Sequence, residues 1–273
     1  MKNIILRMVG DQAWGIHMRT ENRMCSNGPT KSGAIGVLAG CLGKKNGLDG
    51  KDGLPTIGEL AAMPMAVRTD RPGKVVVDFC TAGGGRYDGM NQSFLEVMDK
   101  RSPRPYRVTT VEGYKDGPEV TRKFSLQDAA FVIGFRGPDD LINKLAKAAA
   151  RPKFPPFLGR KQYVPWVPIF ACVTDGELLE SMRQIPWVIR TMEFLSIGDV
   201  GTERLPEEVK YSIECDRSSG QPILDVPTGF DFAKPRYMLT RYVRTEYGPV
   251  PDDEYLLSLM GYERMDASCS SAD

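Results

Sequence analysis

Residues 28–43, GPTKSGAIGVLAGCLG, constrain the fold more than any other stretch. Ile35, Leu38, Ala39 and Leu42 recur at the i, i+3, i+4, i+7 spacing of a buried stripe, which predicts a helix. Thr30, with Pro29 before it, is its expected N-cap, and Gly43 its C-cap glycine. Glycines 33, 36 and 40 each cost a helix roughly 1 kcal/mol relative to alanine. They are expected where another backbone lies against the helix. Lys31, Ser32 and the unpaired N–H groups of the first turn read as an anion site at the positive end of the macrodipole, with phosphate the leading candidate, or as solvated first-turn residues. A nucleotide-binding P-loop is excluded, because G-x-x-x-x-G-K-[ST] would need glycine where Cys25 and Thr30 stand.

The chain of 273 residues can bury a core of two domains, or of one domain with a large extension. It has no run of 18 apolar residues, and MKNIILRMVGD is too short and too soon polar for a signal peptide. No membrane association is expected. The cysteines at 25, 41, 80, 172, 215 and 269 show no C-x-x-C spacing and read as reduced thiols of a cytosolic protein. His17 is the single histidine, so a His/Cys zinc site is not expected, nor any other cofactor. Net charge is +1, but residues 1–165 hold 26 basic and 16 acidic residues, against 10 and 19 in residues 166–273. The first half can face phosphates while the second repels them or meets a basic protein.

Residues 3–9 read as an apolar strand containing Arg7. A long loop rich in Gly, Asn and Arg follows, in which Arg19 and Arg23 lie just upstream of the helix start and Trp14 is expected in the core. Thr56 and Glu59 have capping-box spacing for a short helix through Ala62. Residues 65–70 alternate as a strand, Arg71-Pro72-Gly73 is expected to turn the chain, and residues 74–79 to return as a second strand. TAGGGRYDG then places Arg86 and Tyr87 at a flexible tip. Residues 100–124 are the most basic segment. Residues 106–111 and 119–124 read as the arms of a hairpin joined through Lys115-Asp116-Gly117, carrying Arg107, Arg122 and Lys123. Such a ribbon suits a nucleic-acid backbone, or is an edge kept soluble by its charges.

Residues 129–135 form a continuous apolar strand. Pro138 is expected at the first position of a helix through Ala150, followed by a basic LGRK loop with Arg160 and Lys161 and a strand at 169–173. Strand, helix, strand, insertion, strand, helix, strand fits an α+β, ferredoxin-like fold of the kind RNA-recognition modules share, although the RNP1 signature is missing. We divide the chain into a ferredoxin-like, RNA-binding domain at 1–173 with an arm at about 86–124, and a smaller β-rich C-terminal domain at 174–248. The latter has strands at 209–214 and 236–244. An acidic, partly disordered tail at 249–273 includes a short helix at 254–260.

LRMVGDQAWG, GPTKSGAIGVLAGCLG, AVRTDRPG with DFCT, FSLQDAAFVIGF and RPKFPPFLGRK, in that order, resemble CasD, the type I-E branch of the Cas five family of CRISPR-associated proteins. The similarity covers residues 4 to about 170 and returns weakly at GFDFAKPRYML. It implies a non-catalytic subunit of Cascade, the RNA-guided surveillance complex of prokaryotic antiviral defence, in the cytoplasm. The implied partners are the 5′ handle of the crRNA, the CasC backbone filament that the subunit caps, the large subunit CasA, and target DNA through the assembled complex. Carried over by motif, Lys31 and Ser32 hold handle phosphates, Arg160 and Lys161 form a second contact, and Arg19 and Arg23 a third. After LGRK the chain reads Gln162-Tyr163-Val164-Pro165, where the family commonly has Ser-Cys-Pro.

Two other readings compete. A metal-independent endoribonuclease that processes guide precursor, as in type I-C relatives, needs an acid–base group near a 2′-hydroxyl. His17 stands alone for that work, with no Lys–His pair in the sequence. A purely structural assembly protein, whose basic half meets an acidic subunit, is also compatible with the charge split.

Overall fold

The computed structural model describes residues 1–16, 22–45, 49–50, 52–82, 119–188, 206–230 and 238–249. Its organising element is a 19-residue strand, β5 (Glu119–Gly137). The apolar run at 129–135 is only its C-terminal half. On one side lies β1 (Lys2–Gln12), antiparallel, with Ile4 opposite Phe135 and Met8 opposite Phe131. On the other lies β3 (Met65–Arg71), with Met65 opposite Phe135. β6 (Phe170–Asp175) flanks β1.

The resulting order β6-β1-β5-β3, with helices α1 (Lys31–Leu42) and α3 (Asp139–Ala150) between strands, is the split βαβ arrangement of a ferredoxin-like sheet. Thr30 caps α1 by accepting from the Gly33 N–H, and Gly43 closes it in the left-handed region. The capping box of Thr56 and Glu59 opens α2 (Ile57–Ala62). Pro138 stands at the N-cap of α3, one position earlier than expected.

Beyond β3 the sheet continues without a break. β7 (Val209–Cys215) pairs with β3, β9 (Met238–Gly248) with β7, and β8 (Gln221–Pro227) with β9. The C-terminal strands therefore extend the first sheet by hydrogen bonding and do not form a sheet of their own. β8 was not expected from the sequence. Pro222 and Pro227 weaken its strand pattern, and it lies at the sheet edge, where proline is tolerated.

The segment after β3 differs from the expected hairpin. β4 (Lys74–Ala82) does not fold back on β3; it runs on along the same side of β5, with Lys74 opposite Gln127 and Ala82 opposite Glu119. Gly73 makes this passage possible. Its φ is 73°, and a Cβ there would stand 2.6 Å from the Gln127 carbonyl oxygen. Residues 119–124 accordingly pair with β4, and the other expected arm, 106–111, lies outside the described residues. The short β2 (Asn22–Arg23) runs parallel to β5 on its other side, opposite Arg122 and Lys123.

Both faces of the central strands β6, β1, β5 and β3 carry buried cores. Ile4, Leu6, Met8, Phe131, Ile133 and Phe135 pack under α1, α2 and α3. Trp14 joins this core, and its ring lies so close to Gly33 that a Cβ there would stand 2.5 Å away. The close neighbour of that helix glycine is thus an indole and not a backbone, while Gly40 has nothing within 4 Å of its Cβ position.

The opposite face, which an aromatic-platform RNA module leaves open, is covered here. α4 (Leu178–Arg183) and the residues after it lay Leu178, Met182, Ile185, Trp187 and Val188 over Ile5, Val9, Val132 and Tyr211. Arg68 and Asp70 of β3 fasten this cover. The fully buried guanidinium makes two bonds to the Asp70 carboxylate (2.6 and 2.9 Å) and donates to the carbonyls of Met182, Ile185 and Pro186. Asp70 in turn accepts from the Val188 N–H at 2.8 Å. No helix among the described residues is long and apolar enough to cross a membrane.

Candidate nucleic-acid interface

The start of α1 does hold an anion, and that anion is the chain's own. The Lys31 backbone N–H donates to the Asp225 carboxylate at 2.8 Å, and the Lys31 ammonium, in a residue 1% exposed, bonds both oxygens of Glu214 at 2.9 Å. Arg241 completes the cluster with two bonds to Asp225, at 2.7 and 2.9 Å. Burial lowers the Lys31 pKa, partly opposed by the Glu214 hydrogen bond and charge. Lys31, expected at a phosphate, is turned instead to carboxylates from β7 and β8. Part of the charge asymmetry between the chain halves is therefore an internal pairing across their seam. Ser32 is half-buried beside Lys31, its hydroxyl 3.4 Å from that of Thr30.

A second group of expected contacts converges elsewhere, at the root of the two-stranded ribbon that β4 and the first half of β5 make beyond the sheet. Arg23 is brought there by the pairing of its backbone with Lys123; its side chain lies outside the described residues, as do Arg19, Arg86, Tyr87, Arg107 and His17. Lys123 points its ammonium at the Cys80 sulfur, 3.1 Å away on the facing strand.

The LGRK loop closes on the same strand. Arg160 Nη2 donates to the Phe124 carbonyl at 3.2 Å, while its Nη1 is shielded and has no hydrogen-bond partner among the described residues. Lys161 beside it is exposed. Backbone bonds set the loop rigidly: Ala13 N–H to Leu158 O, Leu158 N–H to Tyr163 O and Tyr163 N–H to Arg160 O. Gly159 is required at its apex, since its φ is 87° and a Cβ would meet the Ala13 carbonyl oxygen.

Along the ribbon one face is apolar. Val75, Val77 and Phe79 are exposed there, in cross-strand register with Leu126, Phe124 and Arg122. The Arg122 guanidinium lies 6.0 Å from the centroid of the Phe79 ring. The facing side carries Lys74, Asp78, Lys123 and Ser125. Chemically, the root offers cations for phosphate, and the ribbon adds an apolar strip that is exposed among the described residues. Sequence reading missed the apolar strip's exposure, although V-V-V-D-F before a glycine run was its signal.

Known proteins place this geometry. The fold matches a solved structure titled "Crystal structure of Cas protein" at 25% identity and TM-score 0.61, covering 92% of this chain and 100% of that one. It also matches a chain of a structure titled "CRISPR RNA-guided surveillance complex" at 25% identity and TM-score 0.64, covering 96% of this chain and 100% of that one. No curated protein matches the chain in sequence. Residues 4–243 match the family model described as CRISPR-associated protein (Cas_Cas5), and the chain belongs to that family.

Proposed function

We propose that this chain is a non-catalytic subunit of a type I-E CRISPR surveillance complex, where it holds the 5′ handle of the guide RNA and caps the CasC filament next to CasA. The observation that carries this reading is the match, over nearly the whole length of both chains, to a component of an RNA-guided surveillance complex. The convergence of Arg23, Lys123, Arg160 and Lys161 at the ribbon root supports an RNA backbone contact there, with base pairing by the guide supplying target recognition. The type I-E assignment rests on the motif resemblance. The non-catalytic part rests on the sequence, in which His17 has no second histidine and no Lys–His pair to work with.

The test is co-expression of the tagged chain with the products of its neighbouring genes and a repeat–spacer array, followed by sequencing of the co-purified RNA. Uniform guides sharing one repeat-derived 5′ end, retained in a complex with a CasC-like filament, are the expected result. Purification of the chain alone, with cleavage of repeat RNA in the absence of metal, would establish the endoribonuclease reading instead.

A further inference from the structure

We propose that the surface formed by residues 151–168, centred on Trp166, is a stacking platform for unpaired bases of single-stranded RNA. This rests on the RNA-binding reading above and adds base contacts to the phosphate contacts of Arg160 and Lys161.

Residues 151–174 contain no Asp or Glu, and they carry Arg151, Lys153, Arg160 and Lys161. Three rings of this segment are exposed: Phe154 by 41%, Phe157 by 39% and Trp166 by 46%. The segment that shows them is held firmly. Lys153 and Phe154 donate backbone N–H bonds to the Cys41 and Gly40 carbonyls at the end of α1, and Trp166 donates its own to the Val9 carbonyl at 2.9 Å.

The Trp166 ring has a built seat. Gly10, at φ 124° beside the irregularity in β1, lies so close under the indole that a Cβ would stand 2.9 Å from its Cδ1. The ring therefore rests on backbone while nearly half of the residue's surface stays open. Beside it runs a groove of about 430 Å³ lined by Pro152, Pro156, Val164, Trp166 and Phe170.

A fixed ring with an open surface, on a segment that carries four cations and no carboxylate of its own, matches a strand that alternates planar bases with negative phosphates. Every base has a π-face, so the platform is tolerant of sequence. An apolar protein segment could fill the groove but would leave the four cations without counter-charges.

The full chain supplies its own reporter. Of its three tryptophans, Trp14 and Trp187 are buried, which leaves Trp166 as the accessible fluorophore. Titration with a short oligouridylate is expected to quench the emission saturably, and an RNA duplex of the same length is not. Trp166→Ala is expected to weaken oligouridylate binding about tenfold, and Trp166→Phe, which keeps a ring, to restore most of it. Equal quenching by duplex, unchanged binding in Trp166→Ala, or quenching by a protein subunit but not by RNA would overturn the platform. If the unaltered chain and its complex hold no RNA at all, the reading of the whole protein falls; RNA binding that ignores Trp166 removes the platform alone.

Discussion

Both carboxylate oxygens of Glu214 accept from the Lys31 ammonium at 2.9 Å, so the first turn of α1 is tied to β7 by a nearly dry ion pair. Breaking a buried pair by removing one partner strands the other charge. Because Glu214 keeps some exposure, Lys31→Met is expected to cost about 3 kcal/mol, the lower end for such pairs. A urea midpoint that drops accordingly, with RNA retention following the folded fraction, is the predicted outcome. An unchanged midpoint with lost RNA would return Lys31 to the interface.

Arg68 and Asp70 lock the cover over the second sheet face. Arg68→Ala leaves the Asp70 carboxylate and three carbonyls without their donor, so a loss of about 3–5 kcal/mol is expected. Hydrogen exchange gives the local readout. The Val188 N–H, which donates to Asp70, should lose protection before the amides that pair β1 with β5. Uniform loss across the sheet would mean that the cover and sheet open together.

Gly159→Ala probes the LGRK loop without touching a charge. A Cβ there collides with the Ala13 carbonyl oxygen, and φ 87° is strained for alanine. The loop must move, carrying Arg160 away from Phe124. RNA retention is expected to fall as it does in Arg160→Ala. For Lys161→Ala, the loss of one phosphate contact should reduce the salt dependence of RNA binding by about one unit of log–log slope.

Burial pushes the thiols of Cys41 and Cys172 up to about 11. Both should resist alkylation at mildly alkaline pH until the chain unfolds. The sign for stability follows from the raised values. Above the ordinary thiol value of 9.0 the unfolded chain releases these protons and the folded chain keeps them. Stability contributed by each thiol should therefore decline as pH rises from about 9 toward 11, and Cys41→Ala with Cys172→Ala should flatten that decline in a pH series of urea midpoints.

Helix α1 was legible because its caps, stripe and glycines agree with one another, and the capping box at Thr56 likewise needs only local chemistry. The alternation of strand and helix carried the ferredoxin-like core. Partners distant in sequence were not legible. Lys31 reads as a phosphate ligand until Glu214 and Asp225, more than 180 residues later, are brought to it by β7 and β8. The direction of β4 was equally hidden. Pro72-Gly73 signals a change of course, and only the length of β5 makes that change a continuation along the same partner instead of a reversal. Arg160 reached the ribbon root because the motif that carries it also carries Gly159, which shapes the loop.

The most direct measurement is ultraviolet crosslinking of guide RNA within the assembled complex, followed by identification of the peptides that carry nucleotides. Crosslinks on residues 151–168 and on the first half of β5, joined to the repeat-derived 5′ end of the guide, are predicted. Crosslinks confined to β7, β8 and β9, or none on this chain while guide RNA is retained by its partners, would contradict an RNA interface at the ribbon root.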